Sequence, residues 1–267
     1  MKPGVFLTPR DFTLLSDCYR QIALSHSQIR DRHFQNRSAP TAKNRIRRLK
    51  QAGYLAVFPV AHVQDGRGGR PIGVVYQVTR KAIAVLKSYL PRESFRDDPV
   101  RLNPFTLSHD LLLTDVMSLL QRRFPDYKLV HGKLLLGESS SKKRQPDAVL
   151  FSPAGNPEIA LELELTSKSQ GRYREIILDY RLAQAFPKVL YVTAIRSIAE
   201  KIQALIAHKP VPGLPEPSTG KFYFALLQDL LSSPRTITLS NGESDIQAAP
   251  HSPTNLKTKN PISGLVA

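Results

Sequence analysis

The sequence predicts an α/β (α+β) protein in two parts: a small, mainly helical N-terminal unit and a larger unit built on a central mixed sheet. Three observations carry that prediction. Apolar residues recur at helical spacing through most of residues 1–90, broken by one pair of β-rich runs. From 105 to 235, apolar runs of strand length alternate with helical stretches. Residues 91–104 join the two as a polar connector punctuated by Pro91, Pro99 and Pro104. Residues 236–267, where Ser, Pro, Asn and Thr abound, read as a flexible tail.

The chain has 267 residues, enough for two modest cores. Its formal net charge is +16 and its pI about 10.1. A globular chain that basic is expected to meet a polyanion, nucleic acid first. Cys18 is the only cysteine, so a disulfide framework and a cysteine-based zinc site are excluded, and a reducing cytoplasm fits. No apolar run approaches the ~20 residues needed to cross a bilayer. The N-terminus has no signal-peptide apolar stretch. A cytoplasmic protein without membrane insertion is expected.

In the first unit, Thr8 caps a helix with Pro9 at its first position and Asp11 in its first turn. Phe12, Leu15, Tyr19 and Ile22 form its apolar stripe. Ser25 or Ser27 opens a short second helix carrying Ile29 and Phe34. Asn36 to Pro40 reads as a turn, and Thr41 as the cap of a third helix. That third helix turns Ala42, Ile46 and Leu49 inward. Six basic residues lie between Arg37 and Lys50 with no acid among them, and Gly53 ends the helix. Tyr54–Val60 and Gly73–Val78 follow as strands around a loop with Arg67 and Arg70, and Thr79 caps a fourth helix. Helix, helix, basic helix, hairpin, helix resembles a winged helix-turn-helix over residues 5–90. The resemblance implies that Lys43, Asn44, Arg47 and Arg48 enter a major groove while Arg67 and Arg70 touch backbone. A solvated basic face and a protein-binding winged helix are the other readings.

In the second unit, 106–124 reads as a helix, 127–136 as a strand, and 138–145 as a loop carrying Lys142, Lys143 and Arg144. Residues 144–168 form a β-hairpin about the turn Ser152–Pro157. Its second strand alternates Leu161, Leu163 and Leu165 with Glu162 and Glu164. Then come a helix over 171–186, a strand over 188–193, a helix over 195–208 and a strand over 221–226.

Two carboxylates about 7 Å apart on one strand repel each other, and burying them unpaired is costly. A divalent cation removes that penalty, and Asp147 on the neighbouring strand offers a third oxygen. Oxygen-only ligation suits Mg²⁺ or Mn²⁺. The bland alternative is a strand whose glutamates face water.

Pro146-Asp147, a spacer, Glu162-Leu163-Glu164 and the nearby Lys168 resemble the restriction-endonuclease-like PD-(D/E)xK fold. With Leu107-Ser108-His109-Asp110 through Asp115, and a helix reaching Tyr180, the chain is similar to the replication-relaxation group of plasmid proteins and to the MobC-class relaxases, which nick transfer origins. The resemblance implies a metal-dependent DNA endonuclease, a hydrolase of plasmid mobilisation and conjugation, acting at a transfer or replication origin. Accessory mobilisation proteins or a coupling protein would be further partners. Asp147, Glu162 and Glu164 would be catalytic and hold the ion, with Asp115 as an outer ligand and Lys168 offsetting phosphorane charge. Tyr180 is the best-placed tyrosine for a covalent nucleophile or a groove contact. Relatives often carry a lysine where this helix has Arg174, Glu175 and Ile176. Lys142, Lys143 and Arg144 extend the DNA-binding surface. A reading from another class is a catalytically inactive DNA-binding accessory or regulatory protein. For His109 and Asp115, a hydrogen bond on the helix face is the plain alternative to ligation.

Overall fold

The structure, a computed structural model, describes residues 5–63, 72–91, 93–135, 145–207, 219–232, 238–240 and 245–247. Arg67, Arg70, Lys142, Lys143 and Arg144 lie outside them, as does most of the tail. Among the described residues are eight α-helices, a three-stranded antiparallel sheet and a seven-stranded mixed sheet.

Helix α1 (Pro9–Arg20) begins as its sequence requires: Thr8 and Asp11 form a capping box, with Pro9 in the first turn. Strand β1 (Leu24–Ser25) is two residues long and has no periodicity to betray it. Ser25 then caps α2 (His26–His33), accepting from Gln28 N at 3.1 Å while Gln28 Oε1 accepts from Ser25 N at 3.0 Å. Helix α3 (Ala39–Gln51) starts earlier than Thr41, because Pro40 fits the first turn and Ser38 stands at the cap. Ala42, Ile46 and Leu49 are its buried stripe, and Gly53, at φ 79°, turns the chain out of it. Strands β2 (Leu55–Val63) and β3 (Ile72–Val78) pair antiparallel, and the sheet order is β1-β3-β2. Thr79 caps α4 (Arg80–Tyr89), accepting from Ala82 N at 3.3 Å. Leu14, Leu15, Ile29, Ile46, Leu49, Val78, Ile83 and Leu86 meet in one core between these elements.

Helix α5 (Leu107–Arg123) follows the connector. Strand β4 (Lys128–His131) stops sooner than the apolar run suggests and gives way to a 3-10 turn at Gly132–Leu134. The cause is a close approach. Gly132 N donates to Asp147 O at 2.7 Å, and a Cβ on Gly132 would sit 1.9 Å from Pro146 O. The hairpin β5 (Ala148–Phe151) and β6 (Pro157–Glu164) comes next, turning at Gly155 with φ 83°. Then follow α6 (Gln170–Leu182), β7 (Lys188–Thr193), α7 (Arg196–Ala207), β8 (Phe222–Leu226), α8 (Leu227–Ser232), β9 (Thr238–Ser240) and β10 (Asp245–Gln247).

The sheet order is β10-β9-β8-β7-β6-β5-β4. Its β6-β7-β8 centre is parallel, with α6 and α7 as the crossovers, and both flanks are antiparallel. Helices α5 and α8 cover the face bearing Leu161, Leu163, Leu190 and Val192. Tyr173, Ile176, Ile177, Ile198 and Ile202 of α6 and α7 cover the face bearing Ala160, Val189 and Tyr191. Within the stretch from 236 onward, read from sequence as a flexible tail, the described residues form the short strands β9 and β10. They add to the sheet by main-chain pairing, which needs no apolar pattern.

A seam joins the two halves. Ala23, Val75, Leu107 and Leu111 form a small apolar cluster between the three-stranded sheet and α5. Gln28 Nε2 donates to Leu111 O at 2.8 Å, and Arg32 Nη2 to Thr114 O at 2.9 Å.

Candidate functional site

Two features stand out, a basic helix face and a buried carboxylate array. On α3, Lys43, Asn44, Arg47, Arg48 and Lys50 are exposed opposite the buried stripe. No carboxylate pairs with those cations among the described residues. Arg45 is the exception to the expected unbalanced run. Its Nε donates to Asp11 Oδ1 at 2.8 Å and its Nη2 to Phe6 O at 2.8 Å, tying α3 to α1. The field of this face reaches its neighbour His26, whose pKa is lowered by burial and by the charges of Arg30 and Lys43.

The carboxylates lie where β5 and β6 meet α5 and α6. Alternation along β6 sends Leu161 and Leu163 to the α5 side, so Glu162 and Glu164 face α6 and α7. Both are 2% exposed, so they do not face water. Glu162 accepts from the hydroxyl of Tyr180, itself fully buried. Glu164 accepts from Lys168 Nζ through both oxygens. Lys168 thus reaches the strand that precedes it, and its ammonium lies 5.8 Å from the Tyr173 ring.

Asp147 is held by different partners. Its Oδ2 accepts from Leu163 N at 2.8 Å and lies 3.3 Å from His109 Nε2. His109 Nε2 is 3.1 Å from Leu163 O, and its Nδ1 is 3.8 Å from Asp110 Oδ1. Asp110 is paired with Lys133 Nζ and lies 4.0 Å from His131 Nε2. Burial disfavours charge on His109, but its bonds to Asp110 and Asp147 and the Asp147 charge outweigh it, and the pKa rises to about 10. His131 goes the other way. Burial dominates and holds it at about 4, although Asp110 pulls upward. Asp147 is lowered: burial opposes ionisation, but the His109 contacts and Leu163 N–H prevail.

A shared divalent cation tests poorly against this arrangement. The donor chemistry, carboxylate oxygen, suits Mg²⁺ or Mn²⁺. Yet each acid already has its own partner: His109 and Leu163 N–H for Asp147, Tyr180 for Glu162, Lys168 for Glu164. Among the described residues, no three His, Cys, Asp or Glu side chains are grouped to hold an ion. In this arrangement the residues do not fit the cation. Asp115 departs further from its expected role. It accepts from Gln28 Nε2 at 3.1 Å and so faces the N-terminal half as part of the seam. Tyr180, buried behind Glu162, is not available to attack a DNA strand.

His109 gains a role beyond a helix-face bond, joining Asp147 to Asp110. The partners Asp110, His131 and Lys133 were not singled out from sequence. The run His109-Asp110 carried a signal, but His131 and Lys133 reach the cluster only through the turn at Gly132.

No family model and no curated protein matches the chain. Among solved structures there is a likeness to the crystal structure of YaeQ protein from Pseudomonas syringae. It has 10% identity and a TM-score of 0.22, over 74% of this chain and 94% of that one. At that score the likeness does not define the fold. No helix among the described residues is long and apolar enough to cross a membrane.

Proposed function

We propose that the protein is a DNA-binding accessory or regulatory protein of plasmid mobilisation or replication. It joins a winged helix-turn-helix to a PD-(D/E)xK-like domain whose acidic positions are satisfied internally. The observation that carries this reading is the outward face of α3, with Lys43, Arg47, Arg48 and Lys50 exposed and without acidic partners among the described residues. The order α1, β1, α2, α3, β2, β3, α4 supports the winged-helix part, with α2 and α3 as the helix-turn-helix pair and β2–β3 as the wing. Lys43, Asn44, Arg47 and Arg48 then lie in the major groove, and Lys50 contacts phosphate. The order α5, β4, β5, β6, α6, β7 supports the second part, with Asp147 just before β5 and Glu162 and Glu164 on β6.

One observation favours the nicking reading as the second. Glu162 and Glu164 are both 2% exposed on one strand, and a strand selected only for packing would carry apolar residues there. The two readings part on a supercoiled plasmid carrying the origin, incubated with the protein and Mn²⁺. The proposal predicts a retarded but still supercoiled plasmid. Open-circular product from the wild type and none from Glu162→Ala would overturn it in favour of a nicking enzyme. Linear product would instead mark a nuclease that cuts both strands.

A further inference from the structure

His26 opens α2 at the corner where α2, α3 and the β2–β3 hairpin meet. Its ring is half-buried, and the half-buried ring of Tyr76 on β3 lies against it, with centroids 6.2 Å apart at 50°. One helical turn further on, Arg30 stands on the same side of α2 and is joined to Asp31 at 3.1 Å. Lys43 of α3 comes close enough for its charge to act on the ring. Arg30, Lys43 and the Tyr76 phenol are the charged and titratable groups that meet His26 from α2, α3 and β3. Among the described residues, nothing hydrogen-bonds the His26 imidazole, whereas His33 at the other end of α2 is tied to Asp17 Oδ2 at 3.0 Å. The pKa of His26 lies below its ordinary 6.5, chiefly through burial and then through the two cations. An anion in this corner would remove the electrostatic part of that cost, since it balances Arg30 and Lys43 and pairs with the imidazolium. Burial pushes the Tyr76 phenol up, so it stays a neutral donor beside that anion.

We propose that His26 contacts a backbone phosphate of bound DNA and takes up a proton as it does so. The inference rests on the DNA-binding reading and deepens it: the interface extends from α3 to the α2–α3 corner, and affinity becomes tied to pH. In the free protein the imidazole is neutral above pH ~6.5. In the complex the phosphate holds the proton to higher pH. Between the two pKa values binding takes up a proton, so affinity rises as pH falls, and it levels off once the free protein is protonated as well. Contacts made by lysine and arginine alone add no such slope, because those side chains titrate far above this range.

The test is duplex affinity of the full chain at about pH 5.5 and about pH 8, at one salt concentration, for the wild type and His26→Gln. The wild type is expected to bind about tenfold more tightly at the lower pH. His26→Gln keeps a polar side chain that cannot take the charge. It should match the wild type within about twofold at the higher pH and show almost no gain at the lower one. His109 and His131 are present in both proteins, so whatever they contribute cancels in the comparison. If His26→Gln does not fold, the His26 imidazole resonance of the wild type is followed by NMR against pH, with and without duplex. Its midpoint should rise by about one pH unit in the complex. No binding at either pH would overturn the DNA-binding reading and this inference with it. Binding of equal strength at both pH values, a pH gain that survives in His26→Gln, or an unmoved midpoint would overturn this inference alone.

Discussion

His109 is held charged by two carboxylates, and that leaves a signature in stability against pH. Its folded pKa, about 10, exceeds the 6.5 of the free side chain. The stabilisation is therefore complete below pH ~6.5 and is lost as pH rises through about 10. His109→Gln should be most destabilised relative to wild type near pH 6, with the deficit shrinking toward pH 10. Thermal melts across that range check it, and a constant deficit would contradict the assignment. His131 acts in the opposite direction. Its folded pKa of about 4 lies below 6.5, so it costs stability as pH falls from 6.5 toward 4. Lys168 presents a different case. Glu164 is 2% exposed, and Lys168→Met leaves that carboxylate buried without its cation. A loss of roughly 2–4 kcal/mol is expected in denaturant unfolding, with recovery in Glu164→Leu/Lys168→Met, where both polar groups are gone. No recovery in the double variant would show that the pair does more than neutralise itself.

At the scale of elements, what the sequence disclosed and what it hid divide along a physical line. Features fixed within a few residues were legible: Thr8 as the cap of α1 with Asp11 in its first turn, the basic and buried sides of α3, Gly53 after it, Thr79 before α4, and the alternation along β6. Features fixed by distant partners were not. Strand β1 exists because β3 pairs with it, and β9 and β10 exist because β8 offers an edge. The carboxylates on β6 were legible as residues, but their partners were not: Tyr180 comes from the following helix and acts through Glu162, while His109 comes from the helix before. The turn at Gly132 is the sharpest example, since only the folded chain brings Pro146 against it. Gly132→Ala should therefore destabilise by ~3 kcal/mol or more, the larger end of single-residue effects. Gly171→Ala, with nothing within 4 Å of its Cβ, should be neutral or gain up to ~1 kcal/mol. Chemical denaturation of both variants decides. Equal effects would mean that the close approach at Gly132 does not constrain the fold.

Across the whole molecule, the seam makes the two halves one mechanical unit. Helix α2 is bound to α5 by Gln28 and Arg32, and α5 carries His109 and Asp110. DNA held by α3 would thus have a fixed relation to the acidic array, whether or not that array does chemistry. On the proposed reading, the net charge of +16 would supply the long-range attraction and α3 its point of contact. Counterion release turns that into a slope: each phosphate neutralised by a cation adds about 0.9 to the fall of log affinity with log salt. The most direct measurement is duplex affinity of the wild type and of Arg47→Ala/Arg48→Ala, titrated between about 50 and 200 mM salt. The prediction is a duplex affinity about 10- to 100-fold weaker in the double variant, with a slope shallower by about 2. Equal affinity and equal slope in the two proteins would contradict the assignment of α3 as the DNA-binding helix.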